Sequence, residues 1–257
     1  MHVAITGASA GIGEALVRAW AARGASVTLV ARRKEKLDQI AAEVAGKTFV
    51  CAADLSISDR ATDWIAPAEA ALGPIDVLVN NAGVQTIEAS ELASVEKGEE
   101  MLRLNVFTPM RLTRAVLPAM LARRSGVIVD IASMAALAPM HGMYYYNAAK
   151  GGLGNASEGL HGELLGTGVH VLTVYPGPVD TDMGRAGFEK YEPTLSTRFS
   201  PVGTSEGLAR LILRGVDRKK RRIIYPWVYS MALSYPRVAR WFTGRFSPPI
   251  VPPQLKA

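Results

Sequence analysis

Short apolar stretches alternate with longer amphipathic ones along most of the chain. The apolar, β-rich stretches are residues 2–6, 26–30, 48–51, 76–80, 126–131, 169–175 and 222–225. Between the earlier ones, residues 12–23, 34–44 and 59–72 have the length and apolar spacing of helices. Near-continuous apolar strands separated by helices are typical of a parallel sheet covered on both faces. The pattern therefore predicts an α/β fold, with a doubly wound parallel sheet of about seven strands and helices on both faces.

The topology of such a sheet also predicts where ligands bind. Ligands lie in the crevice beyond the carboxyl ends of the strands, so functional residues are expected directly after each strand. The stretch 177–203 is long and irregular, with scattered Gly, Pro and Thr. Loops of this length are often lids over a site, and the alternative is a plain surface excursion.

The loop after the first predicted strand reads TGASAGIG, from Thr6 to Gly13, and it permits two interpretations. Residues 7–11 fit G-x-S-x-G, the elbow that presents a nucleophilic serine in hydrolases, here Ser9. That elbow needs an oxyanion donor from a loop after an earlier strand, and only one strand precedes Ser9. The other interpretation is a glycine loop at a helix N-terminus, where N–H groups and the helix dipole favour a phosphate. A P-loop is excluded because no Lys-Ser/Thr pair follows Gly13.

Two arginines, Arg32 and Arg33, follow the second predicted strand in the stretch LVARRKEKL. In NAD-selective sheets this strand ends in an acidic residue that hydrogen-bonds the ribose 2′-hydroxyl. A carboxylate would repel a 2′-phosphate, whereas a guanidinium binds one through charge-assisted hydrogen bonds. The sequence therefore predicts NADP(H) in preference to NAD(H). The alternative is that both arginines only begin a solvated helix.

A serine, a tyrosine and a lysine form the candidate catalytic set. Ser133 follows the fifth predicted strand, and the stretch MYYYNAAKGGL after it has three tyrosines before Lys150. Only Tyr146 lies four residues before the lysine, so these two share a helix face while Tyr144 and Tyr145 point away from it. An ammonium lowers the pKa of a nearby phenol, which is about 10 when unperturbed. Tyr146 can then act as an acid or base, and Ser133 can hydrogen-bond a substrate carbonyl.

Together these features resemble the short-chain dehydrogenase/reductase family, in its main subfamily with TGxxxGxG and YxxxK motifs. The resemblance covers residues 1–225. The matching segments are TGASAGIG at 6–13, ADLS at 53–56, NNAG at 80–83, RLNVFTP at 103–109, the Ser…Tyr-x-x-x-Lys set and YPGPVDTDM at 175–183. The resemblance implies a single-domain Rossmann-type fold and hydride transfer between a nicotinamide and a carbonyl or secondary alcohol.

The resemblance also implies a role for each matched catalytic residue. Tyr146 gives or takes the proton of the substrate oxygen. Lys150 tunes Tyr146 and binds the nicotinamide ribose, while Ser133 orients the carbonyl. Asn105 holds a water molecule in a proton relay and completes the expected catalytic set.

The remaining positions that match the family are expected to bind the cofactor. The resemblance places Asp54 beside the adenine and Thr181 against the nicotinamide amide. The expected cofactor-binding residues are Gly7, Ser9, Gly11, Ile12, Gly13, Arg32, Arg33, Asp54, Leu55, Asn81, Ala82, Gly83, Tyr146, Lys150, Pro176, Gly177, Val179 and Thr181.

Composition and charge argue against several other classes of function. The one cysteine, Cys51, excludes a disulfide framework, and its apolar surroundings favour a packed strand residue over a reactive thiol. The four histidines form no metal-binding spacing, so no metal site is expected. The net charge of +6 is mild, and the basic run DRKKRR at 217–222 has no interleaved aromatic residues. That run is expected to be a solvated turn rather than a nucleic-acid site.

The chain divides into a catalytic domain and a C-terminal extension. Residues 1–225 are expected to form the NADP-binding, Rossmann-type catalytic domain, and residues 226–257 an aromatic and basic extension. In the extension an apolar stripe recurs every three or four residues, at Trp227, Met231, Tyr235, Val238 and Phe242. The stripe fits a segment lying on a membrane surface, or one packed on a partner subunit or over the active site as a lid. Packing against protein is the favoured interpretation, because apolar stripes usually mark such burial.

The sequence predicts an NADP(H)-dependent oxidoreductase acting on a lipophilic carbonyl or secondary alcohol. The mostly apolar residues expected around the substrate are Met134, Leu137, Met140, His141, Met143 and the loop 184–203. His141 has no evident pairing partner and is expected to have no role. The alternatives are a catalytically idle NADP-binding regulator and, less favoured, a serine hydrolase. Family analogy suggests a homodimer or homotetramer.

The expected location is cytoplasmic, with the membrane surface as a second site of contact through residues 226–250. The first apolar run already starts at Val3 and has the character of a strand, without the charged region and cleavage site of a signal peptide. The uncharged run 223–236 is too short to span a bilayer.

Overall fold

A seven-stranded parallel sheet forms the centre of the molecule, in a computed structural model that describes residues 1–198 and 200–251. The strand order is β3-β2-β1-β4-β5-β6-β9, and β7 and β8 form a separate two-stranded sheet. The strands are β1 (His2–Thr6), β2 (Ser26–Ala31), β3 (Thr48–Ala52), β4 (Val77–Asn80), β5 (Gly126–Ile131), β6 (Val169–Pro176), β7 (Val179–Asp180), β8 (Gly203–Thr204) and β9 (Arg222–Tyr225).

Helices connect the strands and continue beyond the last one. They are α1 (Gly11–Ala21), α2 (Lys34–Glu43), α3 (Ile65–Leu72), α4 (Val95–Leu102), α5 (Thr108–Ala122), α6 (Tyr144–Glu163), α7 (Asp182–Phe188), α8 (Leu195–Arg198), α9 (Ser205–Asp217), α10 (Met231–Ser234) and α11 (Pro236–Phe246). Single turns of 3₁₀-helix occur at Ser58–Arg60, Met134–Ala136 and Trp227–Ser230, and Arg103–Phe107 is a π-helix.

The two faces of the sheet carry separate apolar cores. One face packs against α1, α2 and α9, where Leu16, Trp20 and Leu37 are almost fully buried. The other face packs against α3 and α5, with Trp64 and Leu112 in its core. Strands such as β1 are buried along their whole length because both of their faces are covered. The predicted doubly wound α/β sheet with helices on both faces is confirmed.

The element boundaries differ from the sequence prediction mainly at α3. A helix over 59–72 is predicted, yet α3 begins only at Ile65, after the 3₁₀ turn. Pro67 explains the difference, because proline has no N–H to donate to the carbonyl four residues earlier and is tolerated only in a first turn. Within the irregular stretch 177–203, the structure forms β7, α7 and α8.

The strand order reverses between β1 and β4, which lie side by side at the centre of the sheet. At such a reversal the connections leave in opposite directions and open a crevice at the carboxyl ends of the strands. In the described part of the chain, no helix is both long and apolar enough to cross a membrane.

Candidate active site

The loop between β1 and α1 brings backbone N–H groups to this crevice. Gly7 has a φ of +67°, and a β-carbon on Gly13 would lie 2.2 Å from the Gly7 carbonyl oxygen. The loop therefore closes onto the helix only with glycine at both positions. Helix α1 begins after Ala10, which provides no side-chain cap. Its first N–H groups are thus left for another acceptor, and the phosphates of a dinucleotide fit that role.

The segment after β4 is tied to the end of β1. The Thr6 hydroxyl accepts from the backbone N–H groups of Asn81 and Ala82, both at 3.0 Å. The Asn81 side-chain amide donates to the carbonyl oxygens of Thr6 at 2.9 Å and of Gly7 at 3.3 Å. These bonds hold the two sides of the crevice at a fixed separation.

The arginines after β2 lie beside the glycine loop. The Arg33 guanidinium donates to the Ser9 hydroxyl at 3.0 and 3.2 Å, and to the Ser9 carbonyl oxygen at 3.1 Å. Ser9 therefore has a cation as its neighbour, where a hydrolase nucleophile needs a base. The positive charge of Arg32 helps to lower the pKa of Asp54, behind the larger effect of hydrogen bonds from Ser56. Both guanidinium groups thus border the region where the adenine ribose is expected.

Asn105 occupies a distortion of the helix between α4 and α5. It is fully buried in the π-helix, accepts from the Val84 N–H at 2.9 Å and donates to the Val84 carbonyl oxygen at 2.8 Å. Bulges of this type are frequent at functional sites. A β-carbon on Gly83 would lie 2.9 Å from Asn105 Oδ1 and 3.5 Å from Lys150 Nζ. Gly83 therefore lies between the two polar groups, in a space that admits no side chain.

Ser133, Tyr146 and Lys150 come together at the carboxyl end of β5. Ser133 caps the 3₁₀ turn, and its hydroxyl accepts from the Ala135 N–H at 3.1 Å. Tyr146 and Lys150 are both buried on α6, and Lys150 Nζ is 5.9 Å from the centre of the Tyr146 ring. Lys150 also donates to the Ile131 carbonyl oxygen at 2.8 Å. In contrast, Tyr144 projects into solvent.

Burial controls the electrostatics of this group. Burial lowers the pKa of Lys150 to about 8, and the nearby carboxylate of Asp130 opposes that shift. Burial also raises the pKa of Tyr146, while a hydrogen bond with Ser133 lowers it. The pKa of Tyr146 is raised overall, because the effect of burial is larger than the lowering. The lowering by the Lys150 ammonium that the sequence predicts is therefore not seen in the protein without cofactor. A phenol with a raised pKa is protonated at neutral pH but is a weaker acid, so it gives up its proton only where the phenolate is stabilised.

Asp130 is a charged residue that the sequence analysis overlooked. It is buried inside β5, accepts from the Asn80 amide at 2.8 Å, and has a pKa raised by burial. Hydrogen bonds from Asn80 and Ser157, and the charge of Lys150, act in the opposite direction. An acidic residue within an otherwise apolar strand is visible in the sequence, but its lysine neighbour lies twenty positions away.

The segment after β6 closes the crevice from the other side. Thr181 caps α7 by accepting from the Gly184 N–H at 3.0 Å, and a β-carbon on Gly11 would lie 3.1 Å from the Thr181 methyl group. Gly177 donates to the Tyr225 carbonyl oxygen at 2.7 Å. The rest of the expected cofactor set lies on the same edge: Pro176 ends β6, Val179 begins β7, Ile12 is in the first turn of α1, and the Leu55 carbonyl accepts from Thr108.

An apolar cluster surrounds Tyr146. Its buried members are Ile87, Met101, Ala135, Met143, Tyr146 and Tyr191, and Met140 and Ile250 pack against them. Ile250 arrives there because the chain end pairs with the segment after α7, where the Val251 N–H donates to the Lys190 carbonyl oxygen at 2.9 Å. No local pattern connects Ile250 with Tyr146, so sequence reasoning missed it.

Three of the expected substrate neighbours have other surroundings. Met134 and Leu137 pack in one cluster with Ala232 and Ala239 of the C-terminal extension. The side chain of His141 is exposed, and only its backbone oxygen is engaged, by the Tyr191 hydroxyl at 2.8 Å.

The C-terminal extension is helical, and its apolar stripe is not buried within the chain. Trp227 is 80% exposed and Phe242 is 52% exposed. Most of the stripe thus faces solvent, whereas Ile250, farther along the chain, packs against the cluster around Tyr146. Residues 252–257 of the predicted extension lie outside the described part. Among the described residues, no group of three or more His, Cys, Asp or Glu side chains is placed to hold a metal ion.

Comparison with known proteins identifies relatives that cover most of the chain. The family model for short chain dehydrogenases matches residues 1–192. A short chain dehydrogenase of Pseudocercospora fijiensis is 38% identical over 186 residues, which cover 70% of this chain and 60% of that relative. The 11-beta-hydroxysteroid dehydrogenase 1A of Arabidopsis thaliana is 33% identical over 257 residues, covering 93% of this chain and 73% of the relative.

Solved structures match over nearly the whole length. A short-chain dehydrogenase from Streptomyces avermitilis gives a TM-score of 0.81 at 32% identity, over 95% of this chain and 94% of that one. A short-chain dehydrogenase from Sphingobium yanoikuyae in complex with NADPH gives 0.78 at 30% identity, over 95% of both chains. A 3-ketoacyl-(acyl-carrier-protein) reductase from Brucella melitensis in complex with NADH gives 0.79 at 25% identity, over 87% and 96%.

Proposed function

The chain belongs to the short-chain dehydrogenase family, and on that premise we propose that it is an NADP(H)-dependent reductase of lipophilic carbonyl compounds. The reverse reaction, oxidation of a secondary alcohol, uses the same groups. The observation that carries the proposal is the buried arrangement of Ser133, Tyr146 and Lys150 at the carboxyl end of β5.

Each group has a distinct chemical task in the proposed reaction. Tyr146 donates its phenolic proton to the substrate oxygen, for which its raised pKa keeps it protonated. Ser133 donates a hydrogen bond to the same oxygen, where negative charge develops. Lys150 binds the nicotinamide ribose and stabilises the phenolate that remains on Tyr146. Asn105 positions a water molecule that returns the proton. A bound nicotinamide supplies the hydride from C4.

The arginines after β2 support NADP(H) over NAD(H). Arg33 is already held against Ser9 at the glycine loop, and Arg32 lies close enough to Asp54 to influence its pKa. A 2′-phosphate at this place meets two guanidinium groups, each able to donate two parallel hydrogen bonds. Related structures contain NADPH in one case and NADH in another, so this preference depends on the arginines of this chain.

The apolar cluster around Tyr146 supports a lipophilic substrate. Met143, Ile87 and Ile250 provide hydrocarbon and thioether surface on the side from which a carbonyl would approach. Polar hydroxylated substrates would leave their hydrogen-bonding groups unpaired against such a wall. The Arabidopsis relative is named for a hydroxysteroid, a substrate of the same chemical character.

A panel of carbonyl compounds tests the proposal. The purified chain is mixed with NADPH or NADH and with aldehydes and ketones of increasing apolar size, and with sugars, while cofactor oxidation is followed by absorbance. We expect NADPH oxidation with apolar carbonyls and higher kcat/KM for the larger ones. NADPH binding without turnover on any member of the panel would instead support an idle regulator, and sugar-selective turnover would overturn the assignment of the substrate class.

A further inference from the structure

The C-terminal extension presents a continuous apolar surface to solvent. This surface, the aromatic–arginine face, consists of Trp227, Met231, Tyr235, Val238, Trp241, Phe242 and Phe246, together with Arg237, Arg240 and Arg245. From Trp227 to Trp241 its apolar members are three or four residues apart, and in α11 the rings of Trp241 and Phe242 both contact the ring of Phe246. No residue of α11 is buried. Large contiguous apolar patches on a soluble protein mark contact with a protein or a membrane.

The extension is held in place on its opposite side. Ala232 and Ala239 pack against Met134, Leu137 and Tyr175 next to the end of the central sheet. The Tyr229 hydroxyl donates to the Pro201 carbonyl oxygen at 3.2 Å, and α11 continues into the segment that carries Ile250. Ala232, Ala239 and Tyr229 thus make the contact with the body. The large side chains of the aromatic–arginine face point outward. The exposure is a property of the folded chain, not of a loose end.

The charged side chains of the extension are all positive. Residues 226–257 contain no aspartate or glutamate. On the catalytic domain, arginines such as Arg18 and Arg23 form ion pairs with acidic side chains. Within the described part of the chain, none of the ion pairs includes an arginine of α11; Arg245 instead lies 5.6 Å from the centre of the Phe246 ring. The face therefore offers uncompensated positive charge among aromatic rings.

We propose that the aromatic–arginine face lies on an anionic lipid surface, with α11 in the plane of the headgroups. Tryptophan and tyrosine side chains favour the headgroup region, where an apolar ring and a polar edge are both accommodated. Arginines attract phosphate headgroups and can extend out of the apolar layer toward them. A helix with an aromatic apolar side and an arginine-bearing side is the usual form of an interfacial segment.

A second copy of the chain fits this face less well. The common symmetric contact pairs a surface with its own copy. Such a contact would bring the arginines of both copies into one interface, and the extension provides no carboxylate to compensate them. Desolvating unpaired like charges is costly, so the charge pattern selects an anionic partner.

Vesicle sedimentation tests the proposal with the intact chain and needs no turnover. The purified protein is mixed with phosphatidylcholine vesicles, or with vesicles that also contain phosphatidylglycerol, at low and high salt. The main variant is Trp241→Ser/Phe242→Ser, and Leu165→Ser is the matched control, since Leu165 is 70% exposed after α6, outside the extension. A third variant, Arg237→Gln/Arg240→Gln, removes charge only. Thermal melting and NADPH binding verify that each variant is folded.

We expect wild type and the Leu165 variant to sediment with the phosphatidylglycerol vesicles and the aromatic double variant to bind about tenfold more weakly. The arginine variant and high salt should also weaken binding. The proposal is overturned if wild type stays in the supernatant, if it binds both vesicle types equally, or if the aromatic variant binds like wild type. Sedimentation velocity without lipid tests the alternative of a second copy. If wild type forms an oligomer that the aromatic variant does not form, and wild type binds no vesicles, the face is an interface between copies of the chain.

Discussion

Tryptophan side chains are buried in the catalytic domain and exposed in the C-terminal extension. Trp20 and Trp64 are 1% and 2% exposed in the two cores beside the sheet, whereas Trp227 and Trp241 are 80% and 64% exposed. All four lie in a helix, in a 3₁₀ turn or directly before a helix. Periodicity thus predicted elements in both regions, but only in the catalytic domain does the chain itself provide the opposing surface.

Polar groups also differ between the two regions. In the catalytic domain, buried groups such as Asn105, Asp130 and Lys150 have defined hydrogen-bond partners, which low-dielectric surroundings demand. In the extension, the arginines remain in solvent. A residue of the catalytic domain should therefore be sensitive to substitution, and a residue of the extension should affect association far more than stability or chemistry.

The largest difference is expected between a buried and an exposed phenol on the same helix. Tyr146→Phe removes the proposed proton donor and should lower kcat by about 10²- to 10⁴-fold, with NADPH binding retained. The matched variant Tyr144→Phe changes a largely exposed ring two residues earlier and should keep wild-type turnover. Steady-state kinetics and NADPH titration measure both, and near-normal kcat in Tyr146→Phe would remove the assigned acid.

The stability of the two regions should differ next most. Leu16→Ala empties a fully buried position against the sheet and should lower the free energy of unfolding by about 2–5 kcal/mol. Phe242→Ala removes a side chain larger than leucine from the aromatic–arginine face, yet it should change the free energy of unfolding by about 0.5 kcal/mol or less. Urea unfolding of both variants makes the comparison, and an equal loss would show that α11 contributes to the core.

Cofactor selectivity should depend on an arginine of the catalytic domain but not on one of the extension. Arg33→Ala removes charge-assisted hydrogen bonds to a 2′-phosphate and should weaken NADPH binding by about ten- to a hundredfold, with NADH binding unchanged. Arg237→Ala, in the extension, should leave both dissociation constants unchanged. Fluorescence titration measures all four values, and an equal loss for NADPH and NADH would refute recognition of the 2′-phosphate by Arg33.

The smallest effect is expected on the pH dependence. Burial lowers the pKa of Lys150 to about 8, and the Asp130 carboxylate opposes that shift. Asp130→Asn removes the negative charge, so the pKa of Lys150 should fall further and its ammonium should be lost at lower pH. The alkaline decline of kcat/KM for reduction should then begin at a lower pH than in wild type.

Arg245→Gln is the matched change of charge in the extension and should leave the pH profile in place. A decline at the same pH in Asp130→Asn and wild type would show that Asp130 has a structural effect only. Asparagine can still accept the hydrogen bond from Asn80, so the variant tests the charge rather than the contact.

Sequence reasoning predicted the sheet well because its signals are local. Seven strand positions were correct to within two residues, since buried parallel strands are short, apolar and bounded by turns. The error at α3 arose from Pro67, whose effect depends on which turn of a helix it occupies. In the site, the spacing of Tyr146 and Lys150 was informative because residues one turn apart share a helix face.

Other parts of the site come from contacts between distant segments. Nothing local indicates that Gly83 fits between Asn105 and Lys150, or that the chain end brings Ile250 against the cluster of Tyr146. The same holds for Met134 and Leu137, which pack in one cluster with Ala232 and Ala239 of the extension. Such neighbours depend on strand order and on the direction of each connection.

The sequence by itself determined the strands and helices, the glycine loop, the arginines after β2 and the Tyr-x-x-x-Lys register, because each depends on backbone geometry over a few residues. Only the tertiary structure decided that Asp130 lies near Lys150, that Ile250 packs against the cluster of Tyr146, and that the stripe of the extension faces solvent. Periodicity indicates that a helix has an apolar side, but what covers that side depends on the packing of the whole chain and on its partners.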